Sequence, residues 1–182
     1  MQILNSLDFF TRDNFCNHTR DTNLLRNRVC RFLVIARQHN NFQAERLSLA
    51  IMATMTAQLA LEQCLAYVKE RTTFGKPLSK HQVIRHKLAE MATQVDVARE
   101  YAYRCAARMQ AGESAIAEVS MAKNFATSVS TMVTDEAVQI FGGMGFMRES
   151  LVERLYRDNR ILSIGGGTHE IMNEIIAKQL GL

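Results

Sequence analysis

The stretch IRHKLAEMATQVDVAREYAYRCAARM, residues 84–109, carries the pattern that decides the fold. Its apolar residues recur at alternating steps of four and three, at Ile84, Leu88, Met91, Val95, Ala98, Ala102, Cys105 and Met109. This spacing places them on one face of a helix, and the regular alternation is typical of a long helix in an antiparallel bundle. The segment from Ser79 to Gln82 resembles a capping box and should begin this helix.

The preceding segment, residues 43–70, predicts a helix that is apolar almost all round and therefore mostly buried. Its larger apolar residues include Leu47, Ile51, Met55, Leu59 and Leu65. The glycine of Phe74-Gly75 and the nearby Pro77 form a usual stop signal after it.

Two more helices are predicted after the central stretch. The third long helix follows Gly112 and ends at Gly142-Gly143. Its apolar stripe consists of Val119, Ala122, Ala126, Val129, Val133, Ala137 and Ile140. A short amphipathic segment spans 149–160, and Thr168 is the predicted N-cap of a last helix. With no strand pattern in view, the fold class is all-α, an up-and-down four-helix bundle.

Composition and charge limit the possible functions. The chain has 182 residues, 47% of them hydrophobic and 22% charged, which fits one globular domain. No run of 18 apolar residues lacks a charge, so we expect no membrane span. The net charge is +4, but residues 1–40 contribute +3 of it through six arginines and three aspartates. No basic stripe with interleaved aromatic residues follows, which disfavours nucleic-acid binding.

The chain divides near residue 40. Residues 1–40 contain no glycine, lysine or glutamate, whereas residues 41–182 hold all nine glycines. We interpret 1–40 as an irregular or weakly helical leader of unknown role and 41–182 as the functional domain. The cysteines at 16, 30, 64 and 105 lack CxxC spacing and are predicted to be free thiols in a reducing compartment. Without a signal-peptide pattern the default location is the cytoplasm, or the mitochondrial matrix in a eukaryote.

Taken singly, the polar residues have ordinary structural explanations. His81, His86 and His169 have no spacing typical of metal ligands, so no metal site is expected. Glu45, in the first turn of a helix, fits a carboxylate that complements the helix dipole. The two glycine-rich corners at 142–145 and 165–167 are different, because the second opens a helix whose free N–H groups could bind an anion. Together they indicate a phosphate-bearing ligand.

Read together, the motifs of residues 41–182 resemble the C-terminal helical domain of the acyl-CoA dehydrogenases, which are flavoenzymes. The matching segments, in order, are Arg71-Thr72-Thr73-Phe74-Gly75 followed by Gln82, Leu88-Ala89-Glu90-Met91, the run from Ala137 to Phe146, Tyr156-Arg157-Asp158, and Gly166-Gly167-Thr168-His169-Glu170. The resemblance implies removal of two hydrogens from the α and β carbons of an acyl-CoA thioester, with FAD as cofactor. A carboxylate in a dry pocket takes the α-proton, and the β-hydrogen leaves as hydride.

The resemblance also implies which carboxylate acts as the base. Many relatives carry a glutamate where this chain has Gly166. A smaller branch, similar to the long-chain and isovaleryl enzymes, carries it near the start of the first helix of this domain. Here that position is Glu45, followed by Arg46. We therefore expect Glu45 to be the base, with Arg46 organising the helix start near it.

The remaining site residues follow from the same resemblance. The expected FAD contacts are Arg71, Phe74, Gln82, Gln139, Gly142, Gly143, Thr168 and Glu170. Gly166 and Gly167 would flank the acyl chain, and Arg46 is expected to be a substrate-binding residue with them. Several of the flavin contacts reach a neighbouring subunit in the family, which implies a homo-oligomer, a dimer or tetramer. Electron-transfer flavoprotein is the expected electron acceptor.

Length sets a limit on this interpretation. Family members are about twice as long, and their β-domain holds the isoalloxazine ring, so half of the flavin site is missing from this chain. The chain is then a fragment or acts with another subunit. Two hypotheses remain: an acyl-CoA dehydrogenase or its base-bearing part, and a catalytically silent helical module that serves only oligomerisation.

Overall fold

The computed structural model describes residues 41–182. The leader of residues 1–40, with Cys16 and Cys30, lies outside the described residues. Cys64 and Cys105 are free and buried, as predicted. Burial raises the pKa of the Cys64 thiol to about 12 and that of the Cys105 thiol to about 11. Both thiols therefore remain protonated and serve as small apolar core residues.

Three long helices form the body of the described domain. Helix α1 spans Asn41–Glu70, α2 spans Gln82–Gln110 and α3 spans Ile116–Phe141. Each of them contacts the other two, in the up-and-down order predicted from the sequence. This confirms the all-α bundle.

Shorter elements complete the bundle. They are α4 at Gly143–Phe146, α5 at Leu151–Asn159, a 3-10 turn at Arg160–Ser163, and α6 at His169–Gln179. Both α5 and α6 pack against α3. Buried Asn159 fastens α5 to α3, because its carboxamide oxygen accepts a hydrogen bond of 2.5 Å from the Ser130 hydroxyl. The end of α5 is thereby held beside the middle of α3.

The predicted stripes of α2 and α3 are confirmed. On α2 every stripe residue from Leu88 to Met109 is buried, and only Ile84 is half-buried. On α3 all seven stripe residues are buried. A single apolar face on each helix thus forms the core, as the three-four periodicity requires.

Helix α1 turns its small residues inward. Its buried face includes Ala44, Ala50, Ala53, Ala57 and Ala60, with Leu47, Leu61, Cys64 and Val68 as the larger members. Of the larger apolar residues predicted to be mostly buried, only Leu47 is so. Ile51, Met55 and Leu59 are half-buried, and Leu65 is 40% exposed. The prediction was wrong on this face because alanines allow the helices to approach closely, and the bulkier side chains then remain on the outer side.

The segment Phe42–Glu70 of α1 is, by length and composition, long and apolar enough to cross a membrane. The core helix of a helical bundle meets the same criterion, and α1 packs against both α2 and α3. We interpret it as a core helix.

The connection between α1 and α2 differs from the prediction. Thr72–Thr73 (β1) and Lys76–Pro77 (β2) pair as a two-stranded antiparallel hairpin, which the sequence did not indicate. The capping box was also wrong. Ser79 lies in a 3-10 turn at Leu78–Lys80, and α2 begins at Gln82 after His81, with no side-chain capping hydrogen bond. Residues 72–80 form the hairpin and the 3-10 turn, so they cannot extend α2 toward its N-terminus.

Candidate functional site

A glycine loop lies where the segment after α5 meets the start of α1. Gly166 and Gly167 have φ values of +66° and +107°, a region that side chains strongly disfavour. A Cβ atom built on Gly166 would lie 2.6 Å from Leu49 Cδ1, and one built on Gly167 would lie 2.6 Å from Met172 Cε. The loop backbone therefore packs directly against side chains of α1 and α6. The positive φ values favour glycine at both positions, and a side chain there would also require Leu49 or Met172 to move.

Glu45 lies beside this loop. Its Oε1 atom is 4.0 Å from the position that a Cβ of Gly166 would occupy. A carboxylate from α1 thus reaches the place where a side chain at position 166 would begin. The two alternative positions for a base, 45 and 166, adjoin in space although they are far apart in sequence.

Arg46 joins α1 to the same loop. Its Nε–H donates a hydrogen bond of 3.1 Å to the Gly166 carbonyl oxygen. The guanidinium also lies over the Phe42 ring, 5.8 Å from the ring centroid. Arg46 was expected to organise the helix start, and its contact with Phe42 is of that kind. Its hydrogen bond shows that it holds the loop as well.

The described residues do not enclose Glu45. Its side chain is exposed, as is that of Glu170 at the start of α6. The dry pocket expected around the base is therefore not formed by residues 41–182 of a single chain. What the described chain provides is the position of the carboxylate relative to the loop.

The sequence interpretation overlooked Lys123, which is fully buried on α3. Its ammonium donates hydrogen bonds to the carbonyl oxygens of Ser163, at 3.2 Å, and Gly167. Burial lowers the pKa of Lys123, the charge of Arg46 lowers it further, and that of Glu170 opposes them. The sequence does contain a signal, because Lys123 directly follows Ala122 of the buried stripe. A lysine is rarely buried in a helix without a partner for its charge.

The start of α6 is fixed by a polar cluster on α3. Thr168 precedes α6 as predicted, but its side chain makes no capping hydrogen bond. A hydrogen bond from its side chain is the largest cause that lowers the pKa of Glu170. The Thr127 hydroxyl lies 3.1 Å from His169 Nε2 and 2.8 Å from the Lys123 carbonyl oxygen, so it links the start of α6 to α3.

Acid should destabilise the domain through His169. Burial, followed by the charge of Lys123, lowers the pKa of His169 below the ordinary value of 6.5. Below that value the unfolded chain binds more protons than the folded one, so stability is lost as pH falls through the folded pKa. We expect the free energy of unfolding from urea titrations to fall between pH 7.5 and pH 5.5. The fall should be smaller in His169→Gln; an equal fall in both proteins would contradict this role.

A second group of predicted residues lies at the opposite end of α1. Arg71 directly follows α1 and is exposed, and Gln82 is the exposed first residue of α2. Between them, Phe74 and Gly75 form the hairpin tip with φ values of +50° and +76°. The Phe74 side chain is 96% exposed. An exposed aromatic ring on a strained turn residue is an uncommon arrangement for a structural role.

The corner that follows α3 at Gly142 and Gly143 lies at the same end of α1 as the hairpin. The rings of Tyr67 and Phe141 stack with centroids 4.1 Å apart, which places the end of α3 beside the end of α1. Gln139 is exposed in the last turn of α3. Gly142 and Gly143 follow, and a Cβ on either would meet no atom within 4 Å. The backbone of this corner is open to a ligand.

The predicted residues thus form two groups rather than one. Glu45, Arg46 and the segment 166–170 lie at the start of α1, and the residues of the hairpin and the α3 corner lie at its end. Arg71 follows Glu45 by 26 residues along α1, so the two groups are about 39 Å apart at 1.5 Å per residue. Among the described residues no group of three or more His, Cys, Asp or Glu side chains could hold a metal ion.

Comparison with known proteins identifies the domain. The family described as "Acyl-CoA dehydrogenase, C-terminal domain" matches residues 35–181. The probable acyl-CoA dehydrogenase YngJ of Bacillus subtilis is 43% identical over 135 residues, which is 74% of this chain and 36% of that protein. The acyl-CoA dehydrogenase, short-chain specific, of Megasphaera elsdenii is 42% identical over 126 residues, 69% of this chain and 33% of that protein. The chain therefore spans about a third of the length of these relatives.

Solved structures agree with the sequence comparison. A probable acyl-CoA dehydrogenase from Mycobacterium abscessus is 61% identical with a TM-score of 0.76, over 77% of this chain and 37% of that one. Butyryl-CoA dehydrogenase from Megasphaera elsdenii is 38% identical with a TM-score of 0.77, over 78% of this chain and 37% of that one. The chain belongs to the acyl-CoA dehydrogenase family and carries its C-terminal helical domain.

Proposed function

We propose that this chain supplies the C-terminal part of an FAD-dependent acyl-CoA dehydrogenase, with Glu45 as the base that takes the α-proton of the thioester. The observation that supports this most is the position of Glu45 Oε1, 4.0 Å from the Cβ position of Gly166. A carboxylate at position 45 can therefore reach the same part of the site as a side chain at position 166. The chain has a glycine at 166, and of the three side chains nearest to that Cβ position, Glu45 is the one that carries a carboxylate.

In this proposal each residue of the first group has a defined task. The Glu45 carboxylate forms a bond to the α-proton as the α-carbon–hydrogen bond breaks, while the β-hydrogen leaves with its electron pair to give the α,β-unsaturated thioester. Bound FAD supplies the hydride acceptor. Arg46 holds the Gly166 carbonyl, and the backbone of Gly166 and Gly167 would flank the acyl chain.

The second group has the chemistry to hold FAD. Arg71 offers an exposed cation for the pyrophosphate, Phe74 an exposed flat ring, and Gln82 an exposed amide. At the α3 corner, Gln139 and the open backbone of Gly142 and Gly143 suit the adenosine end. Thr168 and Glu170 lie beside the base, at the other end of α1. Two structures named for FAD support the cofactor: "PigA with FAD and proline" and "FAD complex of PigA", both 27% identical, with TM-scores of 0.75 and 0.74.

The separation of the two groups supports a homo-oligomer. One flavin dinucleotide is too short to contact two groups that lie about 39 Å apart along α1. We propose that the residues at the end of α1 contact the flavin of a neighbouring subunit. Electron-transfer flavoprotein is the proposed electron acceptor. A relative that carries this partner in its name is the caffeyl-CoA reductase-Etf complex subunit CarC of Acetobacterium woodii, 38% identical over 135 residues.

A chimeric enzyme tests the function directly. Residues 41–182 would replace the matched segment of the Bacillus subtilis acyl-CoA dehydrogenase that is 41% identical over 140 residues. We expect a yellow protein whose flavin band is bleached by an acyl-CoA under anaerobic conditions. The parent enzyme, purified alongside, is the control for the assay.

The unmodified chain separates the two hypotheses further. A flavin absorbance band that survives gel filtration of the purified 182-residue chain would favour a cofactor-binding part of an enzyme. A chimera that folds and oligomerises but is not bleached by any acyl-CoA, with a colourless unmodified chain, would instead indicate a silent module that serves only oligomerisation.

A further inference from the structure

Lys123 is the charged residue that the proposed mechanism leaves unexplained. It is fully buried on α3, and it lies in the sequence between Ala122 and Ala126, two buried residues of the core stripe. Burying an ammonium group is costly unless hydrogen bonds compensate it. We therefore expect the Lys123 ammonium to have hydrogen-bond partners, and the position of those partners to depend on it.

Those partners are backbone carbonyls of the glycine loop. The Lys123 ammonium donates to the Ser163 oxygen at 3.2 Å and to the Gly167 oxygen. These two carbonyls bracket the loop residues that adjoin Glu45. Both bonds join parts of the chain that are 40 or more residues apart in sequence.

A second cation completes the arrangement. Arg46 on α1 donates to the Gly166 oxygen, between the two carbonyls that Lys123 holds. Gly165, Gly166 and Gly167 have no side chains that could pack and fix their backbone. Their conformation, with positive φ at Gly166 and Gly167, therefore depends on backbone hydrogen bonds and on these two cations.

We infer that Lys123 is a positioning residue: it fixes the glycine loop of residues 163–167 against α3 and thereby sets the space beside Glu45. Its importance for turnover rests on the proposed function, in which the acyl thioester occupies that space. Its effect on the loop does not depend on that function. The two can therefore be tested separately.

Amide hydrogen exchange of the full 182-residue chain tests the effect on the loop. Lys123→Met keeps the length of the side chain and removes its donors. The reporters are the amides of Ile164 and Gly165, which bond to the Ile161 carbonyl, and of Met172, which bonds to the Thr168 carbonyl. We expect these amides to exchange at least tenfold faster in the variant, while the amides of α2 change less than twofold.

The matched control is Thr134→Val, because Thr134 is buried on the same helix and its hydroxyl bonds only within α3. Any acceleration in this control should not be concentrated in the loop. Unchanged loop amides in Lys123→Met, or equal acceleration throughout the bundle, would overturn the inference. The second outcome would mean that Lys123 only stabilises the core.

If Lys123→Met does not fold, the wild-type chain decides the question. A hydrogen-bonded, buried ammonium gives 1H–15N signals at neutral pH because its protons exchange slowly with water. We expect one such lysine signal, and it should be lost in Lys123→Gln while the loop amides accelerate. Absence of a protected ammonium signal in the wild type would overturn the inference.

The chimera tests the consequence for turnover. Lys123→Met in the chimera should lower kcat at least tenfold, with the flavin content unchanged and KM changed less than threefold. Faster loop exchange with unaltered kcat would overturn the role beside Glu45. A wild-type chimera without activity would instead count against the proposed function, and the exchange experiment would still decide what Lys123 does to the loop.

Discussion

Changing Glu45 to glutamine in the chimeric enzyme should lower kcat for an acyl-CoA substrate by about 10²–10⁴-fold, the usual contribution of a general base. Glutamine keeps the size of the side chain but cannot accept the α-proton. Glu45 is not among the residues proposed to hold FAD, so the flavin should stay bound. Stopped-flow measurement of flavin reduction by the acyl-CoA gives the rate of this step without interference from the electron acceptor.

Glu62→Gln is the matched control for this variant. Glu62 is an exposed glutamate on the same helix, and its carboxylate accepts a hydrogen bond from Gln58 one turn earlier. The control should reduce its flavin at the rate of the unchanged chimera. If Glu45→Gln also reduced at that rate, the base would have to be another residue. Loss of flavin from Glu45→Gln would show a structural role instead.

Changing Gly145 to alanine should destabilise the domain by about 1–3 kcal/mol, the usual cost of overpacking a tight site. A Cβ on this buried glycine would lie 2.6 Å from the Val138 carbonyl oxygen, 2.9 Å from Phe141 Cβ and 3.0 Å from Val138 Cα. Two of these atoms belong to the backbone of α3 and cannot rotate away. The corner that carries Gly142 and Gly143 would have to shift. Urea titration followed by circular dichroism measures the loss.

Gly143→Ala provides the comparison for this prediction. It lies two residues earlier in α4, its φ is not in the left-handed region, and a Cβ there would meet nothing within 4 Å. Its free energy of unfolding should stay within about 0.5 kcal/mol of the wild type, as for most surface substitutions. Equal losses in the two variants would mean that the corner tolerates no side chain for a reason other than contact with α3.

The long helices could be predicted from the sequence because their information is local. The alternation of three and four in residues 84–109 fixes which face of α2 is buried, and the structure buries that face. The same holds for the stripe of α3. Periodicity is less informative for α1, which is apolar on every side. The buried alanines of α1 do recur at steps of three and four, at Ala50, Ala53, Ala57 and Ala60, but larger apolar residues on the other sides of the helix obscure that stripe in the sequence.

The hairpin between α1 and α2 illustrates a second limit. Phe74 adopts a positive φ, which a phenylalanine rarely does, so the sequence suggested only a helix stop at Gly75. The capping box failed because a 3-10 turn at Leu78–Lys80, which includes Ser79, follows the hairpin before α2 begins at Gln82.

The candidate site was predictable where motifs marked it and not where only the tertiary structure does. The resemblance indicated Glu45 and Gly166 as alternative base positions, and the structure places them side by side. Lys123 escaped notice because its partners are backbone carbonyls. A carbonyl leaves no signature in a sequence, so the partners of a buried lysine become visible only once the chain is folded.

The alanine face of α1 has a consequence for how such enzymes diverge. Ala50, Ala53, Ala57 and Ala60 are fully buried, and their methyl groups set the distance between α1 and the helices around it. Glu45 is part of the same helix. Its distance from the glycine loop therefore depends on residues up to about four turns away. A larger side chain at any of these positions would shift Glu45 relative to the glycine loop without altering a residue of that loop. Two relatives with identical residues at 45 and 166 would then differ in the distance between them because of a substitution in the inner face of α1.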